Sequence, residues 1–347
     1  MCYALRLHMS AAPPRGGLTQ ALGLHMKHSF ITALYNIEIP ENLGRGDKIN
    51  DTTYLTNDKE IIKSLLPSIE YAHTVGQLEY SAIIDAKAVV YSHDEAPKDV
   101  TPEKHIISKL YIVESFLSCL WLFADNSISD ETGYFFFPDK NGLNATSNFL
   151  STKYTKSNGN VEPTLISRAL LKRAREFYRN NISLPESPFS KPKLTLTKKT
   201  SRIERALHHA VAARDNSDIG FKISSYCSAL EALLSSSQAE LAHQLSERSA
   251  FLLHDKPEER IKTYKMLKKA YATRSKIVHG DYVRDDQLEI LITASEFCDH
   301  LLRDLLLRIL SSSEHLLMFT KMDNNMFEDE IQKLLFGEKS ALPVVQT

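Results

Sequence analysis

Arg274 and His279 are the residues whose types and spacing could do chemistry in this chain. They lie in the heptapeptide Arg274-Ser275-Lys276-Ile277-Val278-His279-Gly280, which closes a helical segment beginning near Pro257. An imidazole, with an ordinary pKa of about 6.5, moves protons near neutral pH. A guanidinium offers a planar fork that matches two phosphate oxygens and stabilises negative charge as it develops. Gly280 reads as the left-handed residue that ends the helix, so His279 falls in the last turn, where the helix dipole favours an imidazolium. Residues five apart on an ideal helix point roughly 140° away from each other. The two groups converge if the last turn unwinds at Gly280, or if two copies of the helix meet across a two-fold axis and share a cleft.

The elements that must position this pair begin near residue 200, after which the pattern is helical almost throughout. Helices are expected at about 200–214, 218–235, 239–254, 257–279 and 285–311, with a shorter one near 326–336, joined by short loops that suit an antiparallel bundle. Asp218 and Pro257 are start signals, and Glu258 and Glu259 place negative charge in a first turn. On the helix 257–279, Tyr264, Leu267, Tyr271, Arg274 and Val278 recur at steps of three and four, which predicts a buried or interfacial stripe. Arg274 therefore needs a carboxylate partner or an anionic ligand. Glu231 is the expected partner, since it interrupts the row from Cys227 to Leu234. Arg248, between Leu245 and Phe251/Leu252, is a second cation to be neutralised. Glu231, Arg248 and Arg274 can equally form a polar network that fixes helix register, with His279 merely capping. Lys262, Lys265, Lys269 and Lys276 share another face, which is a solvated surface on its own and a track for an RNA backbone beside a catalytic pair.

Composition narrows the class. The chain has 347 residues, 43% hydrophobic and 24% charged, with a formal charge of -1, which describes an ordinary globular protein without a global pull toward nucleic acid. It is long enough for two cores. No uninterrupted apolar run of about 18 residues occurs, which argues against a membrane span. Four scattered cysteines, Cys2, Cys119, Cys227 and Cys298, show no metal-ligand spacing and suggest buried free thiols in a reducing cytosol. No metal or cofactor is expected. Gly44-Arg45-Gly46 lacks the third glycine of a dinucleotide loop, and Asn144-Ala145-Thr146 is a sequon without meaning unless secreted.

An α+β N-terminal part followed by an all-α bundle is the expected fold class, predominantly α overall. Residues 1–27 read as a disordered leader, with Met26 a candidate natural start. Residues 28–190 read as a mixed sensor or regulatory domain with strands at 31–39, 77–86, 87–92 and 133–137 and helices at 59–71 and 102–123. Thr101 is the candidate cap of the longer helix, and its stripe with Trp121 and Phe123 is core. Arg168 to Asn180 forms a basic helix, either a solvated face or a phosphate-binding surface. Prolines at 185, 188 and 192 mark a linker, 191–199, before the bundle at 200–315 and a C-terminal helix and tail at 316–347.

Two segments carry a resemblance. Arg274-x4-His279, preceded by Leu267-x3-Tyr271 and by Tyr226-x2-Ala229-Leu230-Glu231-Ala232-Leu233-Leu234, resembles the HEPN domains, in particular the Apea-like subgroup of bacterial anti-phage proteins. The likeness covers about 200–310. It implies an all-α bundle that dimerises, with metal-independent endoribonuclease activity at a cleft between protomers. Arg274 and His279 match the family's catalytic pair, Glu231 matches an acidic position of the subgroup, and Tyr271 and Arg248 stand by as supporting residues. Ser275 stands where active members often carry Asn, Asp or His. The expectation is a homodimeric, cytoplasmic ribonuclease effector acting on tRNA or mRNA in anti-phage defence or toxin-like growth arrest, without a membrane. The alternative is a catalytically inactive HEPN scaffold that dimerises and binds RNA or a partner.

Overall fold

Residues Ser29–Tyr35 are buried along almost their whole length, as in a strand covered on both faces. The computed structural model, which describes residues 28–140, 142–182, 196–278 and 287–345, places this strand, β1, inside a six-stranded antiparallel sheet. The order is β3 (Asp47–Lys48), β4 (Thr53–Thr56), β5 (Ala88–Ser92), β1, β6 (Ser129–Asp139) and β7 (Gly142–Phe149). β2 (Ile37–Glu38) and β8 (Thr164–Leu165) form a separate parallel pair. Alternation divides β1 between two layers. Phe30 and Leu34 join the main core with α4 (Pro102–Phe123), whereas Ile31 joins a smaller cluster under α1 (Lys59–Leu65), α2 (Ile69–Val75) and α3 (Gln77–Asp85).

Two expectations for this region fail for physical reasons. The alternation at 77–86 is not a strand: Leu78 is 82% exposed and Ile83 buried, and the segment is helix α3, divided from α2 by Gly76 at φ 108. The single helix expected at 59–71 is interrupted at Pro67, whose ring disfavours helical backbone in the residue before it, giving α1 and α2. The strand at 31–39 likewise breaks at Asn36, which takes a left-handed φ of 58, leaving β1 and β2. Strands at 87–92 and 133–137 appear as β5 and the centre of β6.

α4 has the length and composition to cross a membrane, yet 56% of that apolar window is buried inside this fold. Thr101 caps it by accepting from the Lys104 amide, and Ile106, Leu110, Val113, Leu117 and Leu120 are all fully buried. α5 (Arg168–Phe177), continued by a π turn at Tyr178–Ile182, packs against it. Arg175 pairs with Asp47 and Arg179 lies 3.9 Å from Asp51, so this basic helix is largely neutralised from within the chain.

The helical part comprises α6 (Arg202–Arg214), α7 (Ile219–Leu234), α8 (Leu241–Leu253), α9 (Pro257–Val278), α10 (Leu288–Leu310), α11 (Ser313–Lys321) and α12 (Asn324–Leu335). α11 was not anticipated, because its nine residues carry too few turns to show a period. Both parts of the chain contribute to one hydrophobic core, and a buried polar seam joins them. Trp121 Nε1 of α4 donates to Asp299 Oδ1 of α10 at 2.8 Å, and Arg303 Nε donates to the other oxygen at 2.7 Å. Lys222 of α7, wholly buried, donates to the carbonyls of Ala213 and Thr155. Burial pushes its pKa down to about 8, against the opposing charges of Asp125 and Asp299. Cys119, Cys227 and Cys298 are buried free thiols, as expected. The leader, most of the proline-marked stretch and Cys2 lie outside the described residues.

Asp130 of β6 is 4% exposed beside Glu114 of α4, whose Oε2 accepts a 2.6 Å hydrogen bond from Tyr154. Burial, then the Glu114 charge, pushes Asp130 up to about 9. A carboxyl raised in the folded state stabilises fully below its ordinary value near 4, and that stability is lost as pH climbs through the folded value. Asp130's contribution to the unfolding free energy should therefore fall between about pH 4 and pH 9. Asp130→Asn should flatten that slope and raise the urea midpoint at pH 8, as checked by denaturation curves at several pH values.

Candidate functional site

α7 and α9 cross closely because Gly220 leaves room. A Cβ there would stand 3.1 Å from Ile277 Cδ1, so the end of α9 lies against the start of α7. Asp218 caps α7 by accepting from the Phe221 amide at 2.9 Å. With both helices fixed, Glu231 on α7 faces Tyr271 and Arg274 on α9. Tyr271 Oη donates to Glu231 Oε1 at 2.8 Å. Arg274 Nη2 lies 3.3 Å from Oε1 and 3.4 Å from Oε2, and Nη1 donates to Tyr271 Oη at 3.3 Å. The guanidinium carbon is 5.1 Å from the Tyr271 ring centre. Burial, helped by the Glu231 hydrogen bond, pushes the Tyr271 phenol up to about 12, so it stays a donor.

The expected partnership of Arg274 with Glu231 is thus present, and its geometry is informative. Charge-assisted N–H···O bonds ordinarily run at about 2.7–2.9 Å. Arg274 is held at longer range on one side of a seam where its side chain remains 23% exposed, and its buried Nε has no acceptor among the described residues. It is tethered rather than locked.

Arg248 does not belong to this cluster. It donates to the Leu234 carbonyl and to Glu328 of α12, both at 2.6 Å, and to Ser236 at 3.1 Å. The three-residue network of Glu231, Arg248 and Arg274 is therefore two separate arrangements, because α8 turns Arg248 toward the C-terminal end of α7 and onto α12, an element whose position no spacing reveals. The stripe on α9 is also rotated from its expected place. Thr263, Leu267 and Ala270 are buried, whereas Val278 is 57% exposed. Ser275 is half-buried beside Arg274, and Lys262, Lys265, Lys269 and Lys276 are all exposed, roughly a third to half a turn round the helix from Tyr271. His279 and Gly280 lie outside the described residues.

On the Tyr271 side the cluster opens into a groove of about 630 Å³, lined by Gln238, Glu240, Leu241, Ala242, His243, Lys268 and Tyr271. His243 Nδ1 is 3.0 Å from Tyr264 Oη, and Lys268 Nζ stands 5.6 Å from the Tyr264 ring centre. Glu240, on the rim, takes a left-handed φ of 49, a conformation that costs a non-glycine residue about 1–3 kcal/mol and collects at functional sites. His243 and Lys268 escape a sequence-only search. Lys268 is three before Tyr271 and four after Tyr264, a spacing that could have found it; His243 sits on a different helix and gives no such signal. His209 of α6 is a third unanticipated group: it lies close enough to Arg274 for that charge to help lower its pKa, after burial and the charges of His208 and Arg205.

Among the described residues, no group of three or more His, Cys, Asp or Glu side chains is placed to hold a metal ion. Comparison with protein-family models, with curated proteins and with solved structures found no match to this chain, so the HEPN resemblance stands on its two segments alone.

The geometry assigns the two arginines different work. Arg248→Met should cost about 3–5 kcal/mol of folding stability, because it strands the Glu328 carboxylate and the end of α7. Arg274→Ala should cost about 1 kcal/mol or less, its partly exposed pair being loosely held. Urea denaturation of both variants checks this, and equal losses would return Arg274 to a framework role.

Proposed function

We propose that this chain is a HEPN-type endoribonuclease effector that cleaves RNA without requiring a metal. The observation that carries the reading is Arg274 itself, a cation tethered by Glu231 and Tyr271 at distances a phosphate could outcompete, its partner Tyr271 lining an open groove. In the proposed step the 2′-oxygen attacks the adjacent phosphorus while His279 takes the 2′-hydroxyl proton. The bond from phosphorus to the 5′-oxygen breaks, and His279 of a second copy protonates that oxygen. The products are a 2′,3′-cyclic phosphate and a free 5′-hydroxyl. Arg274 neutralises the crowded phosphorane, and the exposed lysines, on the far side of α9, add only general attraction for the backbone.

A second copy has a surface to meet. Phe221 and Val278 flank the Gly220–Ile277 contact and are 60% and 57% exposed, and Leu288 and Ile290, at the start of α10, are 51% and 46% exposed. Phe221 and Val278, exposed beside that contact, favour a homodimer with the site at its interface. The same Arg274–Glu231 pairing also favours a second reading, a catalytically silent scaffold in which that cation is already satisfied.

Purified protein incubated with total RNA or tRNA separates the two. Wild type should release fragments ending in 2′,3′-cyclic phosphate, with His279→Ala and Arg274→Ala slowed by about 10²- to 10⁴-fold. In a bacterial host, wild type should arrest growth and both variants should not. Equal fragmentation by wild type and His279→Ala removes the assigned site; intact RNA with wild type leaves the scaffold.

A further inference from the structure

β1 and β6 lose regular register where α3 covers them. Thr32 pairs with Gly133 and Leu34 with Asp130, so Glu131 and Thr132 together oppose Ala33, which makes a β-bulge. Unbroken alternation would send Asp130 and Thr132 to one face of the sheet and Glu131 to the other. The extra residue changes that assignment. Asp130 goes to Glu114 of α4, while Glu131 and Thr132 both line a hollow of about 300 Å³ between α3 and the sheet. Ala33 of β1 and Ala82 of α3 are small enough to leave the room. Tyr35 and Tyr134 contribute aromatic side chains to the lining, and Leu78, 82% exposed, contributes an apolar one. Glu79, in the first turn of α3, adds a second carboxylate, and no basic side chain lines the hollow.

A phenol ring presents a negative face and a carboxylate a full charge, so the two together complement a cation that can also bury carbon. The charges that bear on the two phenols are all negative: burial and then Glu131 raise the pKa of Tyr35, and burial and then Glu79 push Tyr134 up to about 12. An anion would meet two carboxylates here. A bare inorganic cation takes oxygen ligands and would leave the rings and Leu78 unused. We propose that this hollow binds a small organic ammonium cation, a protonated amine on a short hydrocarbon stem, its nitrogen among Glu79, Glu131 and the two tyrosines and its stem along Leu78. The volume, at the low end for ligand pockets, suits a small amine. The site goes beyond the ribonuclease reading and stands whether or not the chain cleaves RNA.

Full-length protein labelled in its tyrosine rings is titrated with butylammonium chloride, against potassium chloride at the same ionic strength. The Tyr35 and Tyr134 resonances, assigned from Tyr35→Leu and Tyr134→Phe, should shift saturably with the amine and not with potassium. Glu79→Gln and Glu131→Gln should each weaken binding about three- to fivefold, and Tyr35→Leu about two- to fivefold. Ala82→Phe fills the hollow without touching a charge and should abolish the shift. Glu79, Glu131, Tyr35 and Ala82 are all exposed, so these four variants should keep the wild-type urea midpoint. No saturable shift, or one that survives Glu131→Gln and Ala82→Phe undiminished, overturns the site. Magnesium chloride that saturates the same resonances at lower concentration than the amine, with no loss in Tyr35→Leu, overturns an organic occupant. A capped lysine peptide that binds more than tenfold tighter than butylammonium overturns a small amine and gives the hollow to a protein side chain.

Discussion

Asp299 is a carboxylate sealed from solvent, and a charge there is tolerated only when donors meet it from several sides. Trp121 comes from α4, Arg303 from one turn further along α10, and the Lys222 ammonium of α7 contributes an opposing charge nearby. Since the partners belong to three helices from both parts of the chain, only one relative placement satisfies them. Lys222 is further pinned by the Ala213 and Thr155 carbonyls, which fixes the register of α7. Glu231 lies nine residues along the same helix, about 13 Å on. The candidate site therefore inherits its position from a charge buried elsewhere.

Arg248 and Arg274 are held in different ways. Both are cations among apolar neighbours, and both have a carboxylate partner. Arg248 makes three contacts, two of them at 2.6 Å, across α7, α8 and α12, so moving it would expose an anion and a helix terminus. Arg274 keeps a buried donor unused and holds its partner at 3.3 Å. A charge gains little from contacts of that length in a partly wet seam. An incoming oxyanion with shorter geometry has an energetic opening at Arg274 and none at Arg248.

Much of the helical part was legible because period and caps agree. Asp218, Pro257 and the row around Tyr226–Leu234 placed α7 and α9 within a residue or two, and the Glu231–Arg274 partnership followed from polar residues interrupting apolar rows. What was not legible depends on tertiary rotation. The phase of α9 changed, exposing Val278, because α7 and α8 both pack on it and choose the face around Leu267 and Ala270. Arg248 is neutralised as expected, but its partner was not legible because Glu328 is 80 residues away. The alternation at 77–86 misled because its apolar members include Leu78, which stays in water. His209 and His243 carry no pattern of their own and acquire meaning only from the helices that face them.

Glu231 acts on this layout in a way that a simple counter-ion would not. Its carboxylate accepts a short bond from Tyr271 and longer ones from Arg274, so the tyrosine is the better-held partner. If a phosphodiester draws Arg274 away, Glu231 keeps its hydrogen bond to a phenol whose raised pKa retains the proton, and the carboxylate is not stranded. The exchange then costs the protein three long contacts, against the bidentate pairing a phosphate offers a guanidinium. Tyr271, which stays with Glu231, also lines the groove of His243 and Lys268, so the carboxylate's better-held partner is the one that joins the pair to that groove.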